Sequence, residues 1–547
     1  MSDREVADLM FRPEILPPQH WEAHYPQRHL PQGAKVTRFA PSPTGYLHTG
    51  GLYAAIVAQD IAHNSGGVFF VRIENTDAAR EIEDARRQFA KAFAYFSIES
   101  DEKEGDPWGP YEQAARAEIY ESYARHLVEH GKAYPCFCTH EELNDLAAKQ
   151  QEAKVSPGYY GKWARCRSLP RDEVMRRLKD GMPYTIRFRV PDDRPGRSSY
   201  TDLIRGPIEQ LDNRNDIIIL KSSAQPPRLP TYHFAHVVDD HLMRVNLVTR
   251  GEEWIASVPL HLQLFESLDF TPPDYAHIAP LMKIDGKSKR KLSKRKDPEA
   301  TVELYMTSGY PAEAIRIYLR GLANSNLADI DFAEANRTPI ELGHMGVAGP
   351  VFDLVKLESI SKSYIAGLAP AERVGALEAW ASQYDPALSE ILRREHDMVL
   401  SALEFERRLD EHPRKDVAKW TDFLPGYRAF LPSQFELVTD TARPEFSPTA
   451  PDVVRAVTED FVAGYAHEGD KETWFSQIRE IARKHRFAPT TGEFKRNREL
   501  FIGPLSEASN IIRVGLTGQR QSADLYLITR VIGEAEVLRR MKAVVGS

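Results

Sequence analysis

VTRFAPSPTGYLHTGG, residues Val36–Gly51, joins a short strand to a helix through a turn that neither element can continue. Val36–Ala40 is apolar and β-branched and reads as a strand. Pro41, Pro43 and Gly45 end it and force an exposed turn. Gly50 and Gly51 open a helical run carrying Leu52, Ala55 and Ile56 at helical spacing. Ser65-Gly66-Gly67 marks that helix's end, and Val68–Ile73 (VFFVRI) begins a second strand. Strand, loop, helix and strand make half of a nucleotide-binding fold. Glycines at a helix start allow close approach to free amides, and the positive end of the helix dipole favours anions. His48, just before them, is placed to donate to a phosphate oxygen.

Working outward, the chain of 547 residues is long enough for several domains. With 27% charged and 42% hydrophobic residues it has the composition of a globular protein. A net charge of −8 excludes a generally basic nucleic-acid binder, so any RNA contact must use local basic patches. The opening MSDREVADLMFRPEI lacks the apolar core of a signal peptide, and no stretch is long and apolar enough to span a membrane. Three cysteines argue against a disulfide framework and for a reducing, cytoplasmic compartment. Residues 1–34, rich in proline and ring side chains, read as an extension wrapped on the surface, with a long irregular tail as the other reading.

Further motifs follow in order. Glu74, in RIENTDAAR (Arg72–Arg80), ends the second strand, where α/β enzymes place ligand-binding groups; a carboxylate there suits an ammonium. Ile119, Tyr123, Leu127 and Val128 give one buried helix face. PYTIRFRVP and NDIIILKSS read as strands within residues 183–233. Asp239, Asp240 and His241 superficially suggest a metal cluster but read as groups that cap and orient local backbone. DGKSKRKLSKRKD (Asp285–Asp297) is a cationic run, and Leu304–Leu322 is helical by period. Beyond about residue 369 the chain reads as helices punctuated by proline.

Two of these stretches resemble the signatures of class I aminoacyl-tRNA synthetases. His48-Thr49-Gly50-Gly51 resembles the HIGH motif, and RFAPSPTGYLH before it is similar to the glutamyl-tRNA synthetase family. Lys291-Leu292-Ser293-Lys294-Arg295 resembles the KMSKS loop. Pro230–Trp254 and Arg513–Gly533 also resemble that family; over residues 1–34 no resemblance is found. Where the family commonly has Asp and Asn, this chain has Asn75 and His236.

The resemblance implies an α/β fold: a Rossmann-type catalytic domain with an inserted acceptor-binding domain, followed by an all-helical anticodon-binding region. The expected divisions are 1–34, extension; 35–119 and 234–283, the catalytic halves; 120–233, the acceptor-stem insertion; 284–368, the KMSKS loop and stem-contact domain; and 369–547, the anticodon-binding domain. It implies ATP-dependent activation of L-glutamate and transfer to tRNA(Glu). Charging of tRNA(Gln) as well, or a glutaminyl enzyme, are the alternatives. His48, Lys291 and Lys294 would be catalytic; with Gly50, Gly51 and Ser293 they would bind ATP and its Mg2+. Arg38, Ser42, Glu74, Tyr232, His236 and Arg250 would bind glutamate. Cys136, Cys138 and Cys166 resemble a zinc module of some glutamyl enzymes; His140, Tyr159 and Tyr160 are open as a fourth ligand, and three reduced thiols without metal are the other reading. The expected protein is a monomer with no membrane partner.

Overall fold

The computed structural model describes residues 3–77, 82, 84–193, 196–327, 332–409 and 414–546; the last three residues of the stretch 72–80 therefore lie outside the described residues. The chain divides into two compact units, Met1–Leu304 with Ile315–Asp353, and Tyr305–Ala314 with Leu354–Ser547.

The first unit runs α1 (Asp3–Met10), α2 (Pro18–His24), β1 (Val36–Phe39), α3 (Thr49–Asn64), β2 (Val68–Val71), α4 (Ala85–Tyr95), α5 (Ala117–Glu129), β3 (Ala133–Cys136), α6 (His140–Glu152), α7 (Arg171–Lys179), β4 (Thr185–Phe188), β5 (Arg197–Asp202), β6 (Gly206–Leu211), β7 (Ile218–Leu220), α8 (Tyr232–Leu242), β8 (Leu247–Gly251), α9 (Val258–Ser267), β9 (Asp274–Ile278), β10 (Met282–Asp285) and β11 (Ser288–Lys291). β1 and β2 pair in parallel, as do β8 and β9. Asn246 brings the two pairs together. Its backbone N–H donates to the Val36 carbonyl (3.3 Å). Its side chain accepts the Val36 N–H (2.8 Å) and donates to the Ala34 carbonyl (2.9 Å). The order is thus β2, β1, β8, β9, and the chain winds outward in both directions from the β1/β8 junction. Such a switch point leaves a crevice at the carboxyl ends of the strands. Arg38 and Arg250 lie near the ends of these two strands.

α3 is apolar on nearly every side: Leu52, Ala55, Ile56, Val57 and Ala62 are fully buried. Gly66, at a φ of 68°, ends it as its sequence requires. β3, β4 and β7 form a separate antiparallel sheet, whereas the hairpin β5–β6 extends the parallel sheet through β9. That hairpin falls inside 120–233.

Two readings of the sequence are corrected. The N-terminal extension is more than an irregular wrap: it packs one face into a core. Val6, Ala7, Met10, Phe11 and Tyr25 are buried in the same core as Ile119, Tyr123 and Leu127 of α5. The irregular proline-rich composition hid two short helices, the first of them amphipathic. Asp239 and Asp240 do not cap local backbone either: they bind arginine side chains from other elements, described below.

In the second unit, Trp474, Phe461, Ile511, Leu525 and Met541 lie in one core cluster. Its main helices include Pro370–Tyr384, Pro386–Leu409, Pro451–Gly464, Lys471–Lys484, Leu505–Thr517 and Glu534–Val545. Proline at the first turn of the first three sits where no backbone donor is lost. The only strands among the described residues of 369–547 are the two-residue pair Phe487–Ala488 and Gly503–Pro504. The 304–322 run is two helices, Val302–Ser308 and Ala312–Ala323, because Gly309 and Pro311 break it.

Candidate active site

A cavity of about 590 Å3 opens at the switch point. Arg38, Ser42, His48, Gly50, Gly51, Glu74, Tyr232, Arg250, Lys291 and Lys294 all border it. Residues from four separate stretches of sequence therefore meet at one place. Ser293 and His236 do not border it.

One end is built by the His48 turn and the cationic loop. His48 is the N-cap of α3, and its Nδ1 accepts the Gly51 N–H at 2.8 Å. Burial, then Lys294 and Lys291, push its pKa down to about 4, so the ring is neutral near pH 7. With Nδ1 accepting, the proton sits on Nε2, leaving a neutral donor. A Cβ on Gly50 would lie 3.1 Å from the His48 ring, and one on Gly51 3.0 Å from Leu47, so both positions favour glycine. Lys291 ends the antiparallel hairpin β10–β11, a strand pair that the charge run concealed. Beyond it Lys294 donates from Nζ to the Tyr46 carbonyl, bringing the cationic loop against the His48 turn. Asp297 anchors that loop: it takes both terminal nitrogens of Arg290 (2.6 and 2.7 Å) and the Ser293 N–H (2.9 Å).

The other end is buried. Arg38 donates from Nε to both oxygens of Asp240 (3.2 and 3.3 Å). Arg72, wholly buried, donates to Asp240 (2.6 Å) and to Glu74 Oε1 (3.3 Å). Burial raises Glu74 above its usual range against the pull of Arg72 and Arg38, so an incoming ammonium would favour its charged form. Asp239 receives Arg116 (2.7 Å), Gln113 (2.9 Å) and the Tyr120 hydroxyl (2.7 Å). His236 stands behind the wall, its Nδ1 3.0 Å from Asp240. Its ring stacks against that of Tyr232 at 5.9 Å. Asn75 explains its own departure from the family pattern: it donates to Glu112 (3.2 Å), which an ionised aspartate cannot do.

Arg250 is buried and lies 5.0 Å from the Tyr275 ring centre. Its Nε is 3.1 Å from His277 Nε2, and its terminal nitrogens lie 3.4 Å from His261 Nδ1 and the Tyr232 hydroxyl. None of its hydrogen-bond partners among the described residues is a carboxylate. Burial keeps the nearby histidines neutral: His236 falls to about 3, His233 to about 4, and His261 and His277 fall as well. Arg250 is therefore a positive charge surrounded by neutral rings. Sequence reading missed His261, His277 and Tyr275, which stand alone in their segments without a motif; their only signal is polarity inside otherwise apolar runs.

In the insertion, the Sγ atoms of Cys136, Cys138 and Cys166 lie within 4.8 Å of one another. The Tyr159 hydroxyl is 3.4 Å from Cys136 Sγ and 3.3 Å from Cys138 Sγ. Hydrogen bonds from Cys138 and Cys166 hold the Cys136 thiol well below its ordinary range. Tyr160 instead donates to the Ser156 carbonyl, and His140 is exposed outside the trio. Three converging thiols and a hydroxyl suit a structural zinc ion.

The family model described as tRNA synthetases class I (E and Q), catalytic domain, matches residues 35–338. A glutamate–tRNA ligase of Clostridium perfringens (strain SM101 / Type A) is 38% identical over 554 residues, covering 99% of this chain and 99% of its own. One of Acetivibrio thermocellus is 38% identical, covering 99% and 100%. With 99% of the chain aligned, the likeness takes in most of residues 1–34, where the motifs alone showed none. The crystal structure of a glutamate tRNA ligase from Elizabethkingia meningosepticum, in complex with its amino acid, superposes with a TM-score of 0.74 at 25% identity. It covers 93% of this chain and 99% of its own.

Proposed function

The chain belongs to the class I tRNA synthetases of the glutamate and glutamine group, and from that premise we infer that it is an ATP-dependent glutamate–tRNA ligase. A glutamate carboxylate attacks the α-phosphorus of ATP in line, displacing diphosphate. The resulting adenylate passes glutamate to the 2′-hydroxyl of the terminal adenosine of tRNA(Glu), releasing AMP.

The observation that carries the amino-acid assignment is Arg250, a buried guanidinium that no carboxylate of the described residues contacts directly, Asp202 reaching it only through the His277 ring. A side-chain carboxylate supplies the missing charge through two hydrogen bonds. Glutamine would leave it unmatched, and a site built for a polar partner rejects the analogue lacking it by on the order of 10⁴-fold. Arg38 adds positive potential, Glu74 receives the ammonium, and Ser42 and Tyr232 complete the wall. At the other end His48 donates to phosphate, Lys294 with Lys291 neutralises charge that develops during transfer, and Gly50 and Gly51 admit the nucleotide. Mg2+ arrives with the phosphates of ATP.

Residues 120–233 hold the acceptor end of tRNA, 284–368 contact the stem, and 369–547 read the anticodon. Cys136, Cys138, Cys166 and Tyr159 hold one structural zinc, which would fix β3 to the loop before α7. The enzyme works as a cytoplasmic monomer.

Aminoacylation with purified tRNA isoacceptors and labelled glutamate or glutamine tests the whole reading. Glutamate on tRNA(Glu) is the expected product; glutamine transfer would reject it, and glutamate on tRNA(Gln) would widen the tRNA choice. Elemental analysis of protein prepared without chelator should give about one zinc per chain. A metal-free preparation with full activity and unchanged Tm removes the zinc assignment.

A further inference from the structure

The N-terminal segment reaches the substrate cavity through a single helix. α8 brings Tyr232 to the cavity at its first residue and carries Asp239 and Asp240, which lie behind the cavity wall, near its last. The segment Glu22–Arg28 grips the far end of α8. Arg28 donates from Nε to the Met243 carbonyl (3.1 Å), the C-cap of α8, where a cation also opposes the helix dipole. Glu22 binds the His241 ring (2.7 Å), the Arg244 guanidinium (3.2 Å) and the Tyr123 hydroxyl (2.8 Å). Against burial, His241 draws the Glu22 pKa down to about 2. The Tyr25 hydroxyl donates to the Gly109 carbonyl (2.9 Å) and accepts from Arg116 (3.0 Å). Arg116 in turn holds Asp239, and the neighbouring Asp240 holds both Arg38 and Arg72.

We propose that Glu22 and Tyr25 are positioning residues of the amino-acid site: they set the axial position of α8, and through it the placement of Tyr232, Arg38 and Glu74. The proposal rests on the assignment of that end of the cavity to glutamate. Each link is a short polar contact between buried or half-buried groups. Glu22 alone spans His241, Arg244 and Tyr123, so a shift of the segment moves several of these contacts at once and is passed on to α8. The nucleotide end has no such link: His48 is set by α3, and Lys294 by the loop that Asp297 anchors.

Deleting the segment would strip Val6, Met10 and Tyr25 from a core, so point variants carry the test. Glu22→Gln and Tyr25→Phe are assayed by diphosphate exchange with tRNA present, varying glutamate and then ATP, alongside Arg250→Ala. Asp8→Asn, which removes a surface ion pair of the same segment with Arg125, is the control. The two variants should raise KM for glutamate about five- to tenfold, the worth of one hydrogen bond, with KM for ATP and kcat within about twofold and Asp8→Asn silent. Equal changes for both substrates, or a lower Tm with both KM values intact, would reduce these contacts to structural ones and overturn the proposal. Should Arg250→Ala alone raise the glutamate KM, the proposal fails and the site assignment stands. Should Arg250→Ala leave it unchanged, both fail together.

Discussion

At the end of the cavity assigned to glutamate, charged groups are buried and tied: Arg38 and Arg72 to Asp240, Glu74 to Arg72, Arg116 to Asp239. At the end assigned to the nucleotide, Lys291 stands exposed at the end of β11 and Lys294 on the loop after it, where among the described residues it hydrogen-bonds only the Tyr46 carbonyl. The difference follows the ligands. The ammonium and side-chain carboxylate of glutamate keep their charges while its α-carboxylate reacts, so the groups that would hold them can be fixed in advance. The phosphates redistribute charge in the transition state, and only groups that strengthen there accelerate the step. On the proposed assignment, a fixed receptor would select and a cationic loop that closes on the phosphates would catalyse.

The largest effect that would break this contrast is at Arg250. Arg250→Ala should lower kcat/KM for glutamate by on the order of 10³-fold, since truncation leaves the substrate charge buried and unpaired, while KM for ATP stays nearly constant. Steady-state kinetics with each substrate varied would show it. Small equal effects would mean a surface-like role worth under about 1 kcal/mol, making Arg38 the next specificity residue to test.

Lys294→Ala should come next, cutting kcat for diphosphate exchange by roughly 10²-fold, the usual scale for one electrostatic donor to a transition state, with KM for glutamate unchanged. Near-normal exchange would remove Lys294 from catalysis and leave the nucleotide end without its principal cation.

The histidines give a third, smaller measure. A histidine whose folded pKa lies below its unfolded value of 6.5 stays neutral in the fold while the unfolded chain takes up a proton. Each therefore subtracts stability as pH falls from about 6.5, and the loss levels off below the folded value. His236, at about 3, should contribute more than His48, at about 4. Urea unfolding between pH 7 and pH 3.5 should show a shallower decline for His236→Asn than for His48→Asn. The reverse order would mean that the amino-acid end is the wetter one.

Ser293→Ala should do least, within about twofold of wild type, as for a substitution that breaks no buried contact. Its backbone N–H, not its hydroxyl, binds Asp297. A tenfold loss of exchange activity would show that the hydroxyl reaches phosphate when the loop moves.

The same contrast marks what could be read from sequence. The His48 turn and the Lys291–Arg295 loop are contiguous, with local constraints: prolines that stop a strand, glycines that admit a ligand, a run of cations. Both were legible, as were α3 and the helical second unit, whose periodicity is a local property. The Arg38–Asp240–Arg72–Asp239–Arg116 network joins residues up to 202 positions apart, and nothing in the neighbourhood of Asp239 distinguishes an arginine partner from a backbone amide. His261, His277 and Tyr275 escaped for the same reason. The segment 1–34 escaped for a different one: α1 is eight residues long and α2 seven, too short for periodicity to outweigh the prolines around them.

Arg250 has one more consequence. If the Arg250 guanidinium receives the glutamate side chain as proposed, the amino acid binds the native state and not the unfolded chain. Folding and amino-acid supply are then linked by mass action: glutamate at 100 times its Kd would add about 2.7 kcal/mol to the unfolding free energy. On that assignment, resistance to proteolysis through the unfolded state would rise with glutamate concentration.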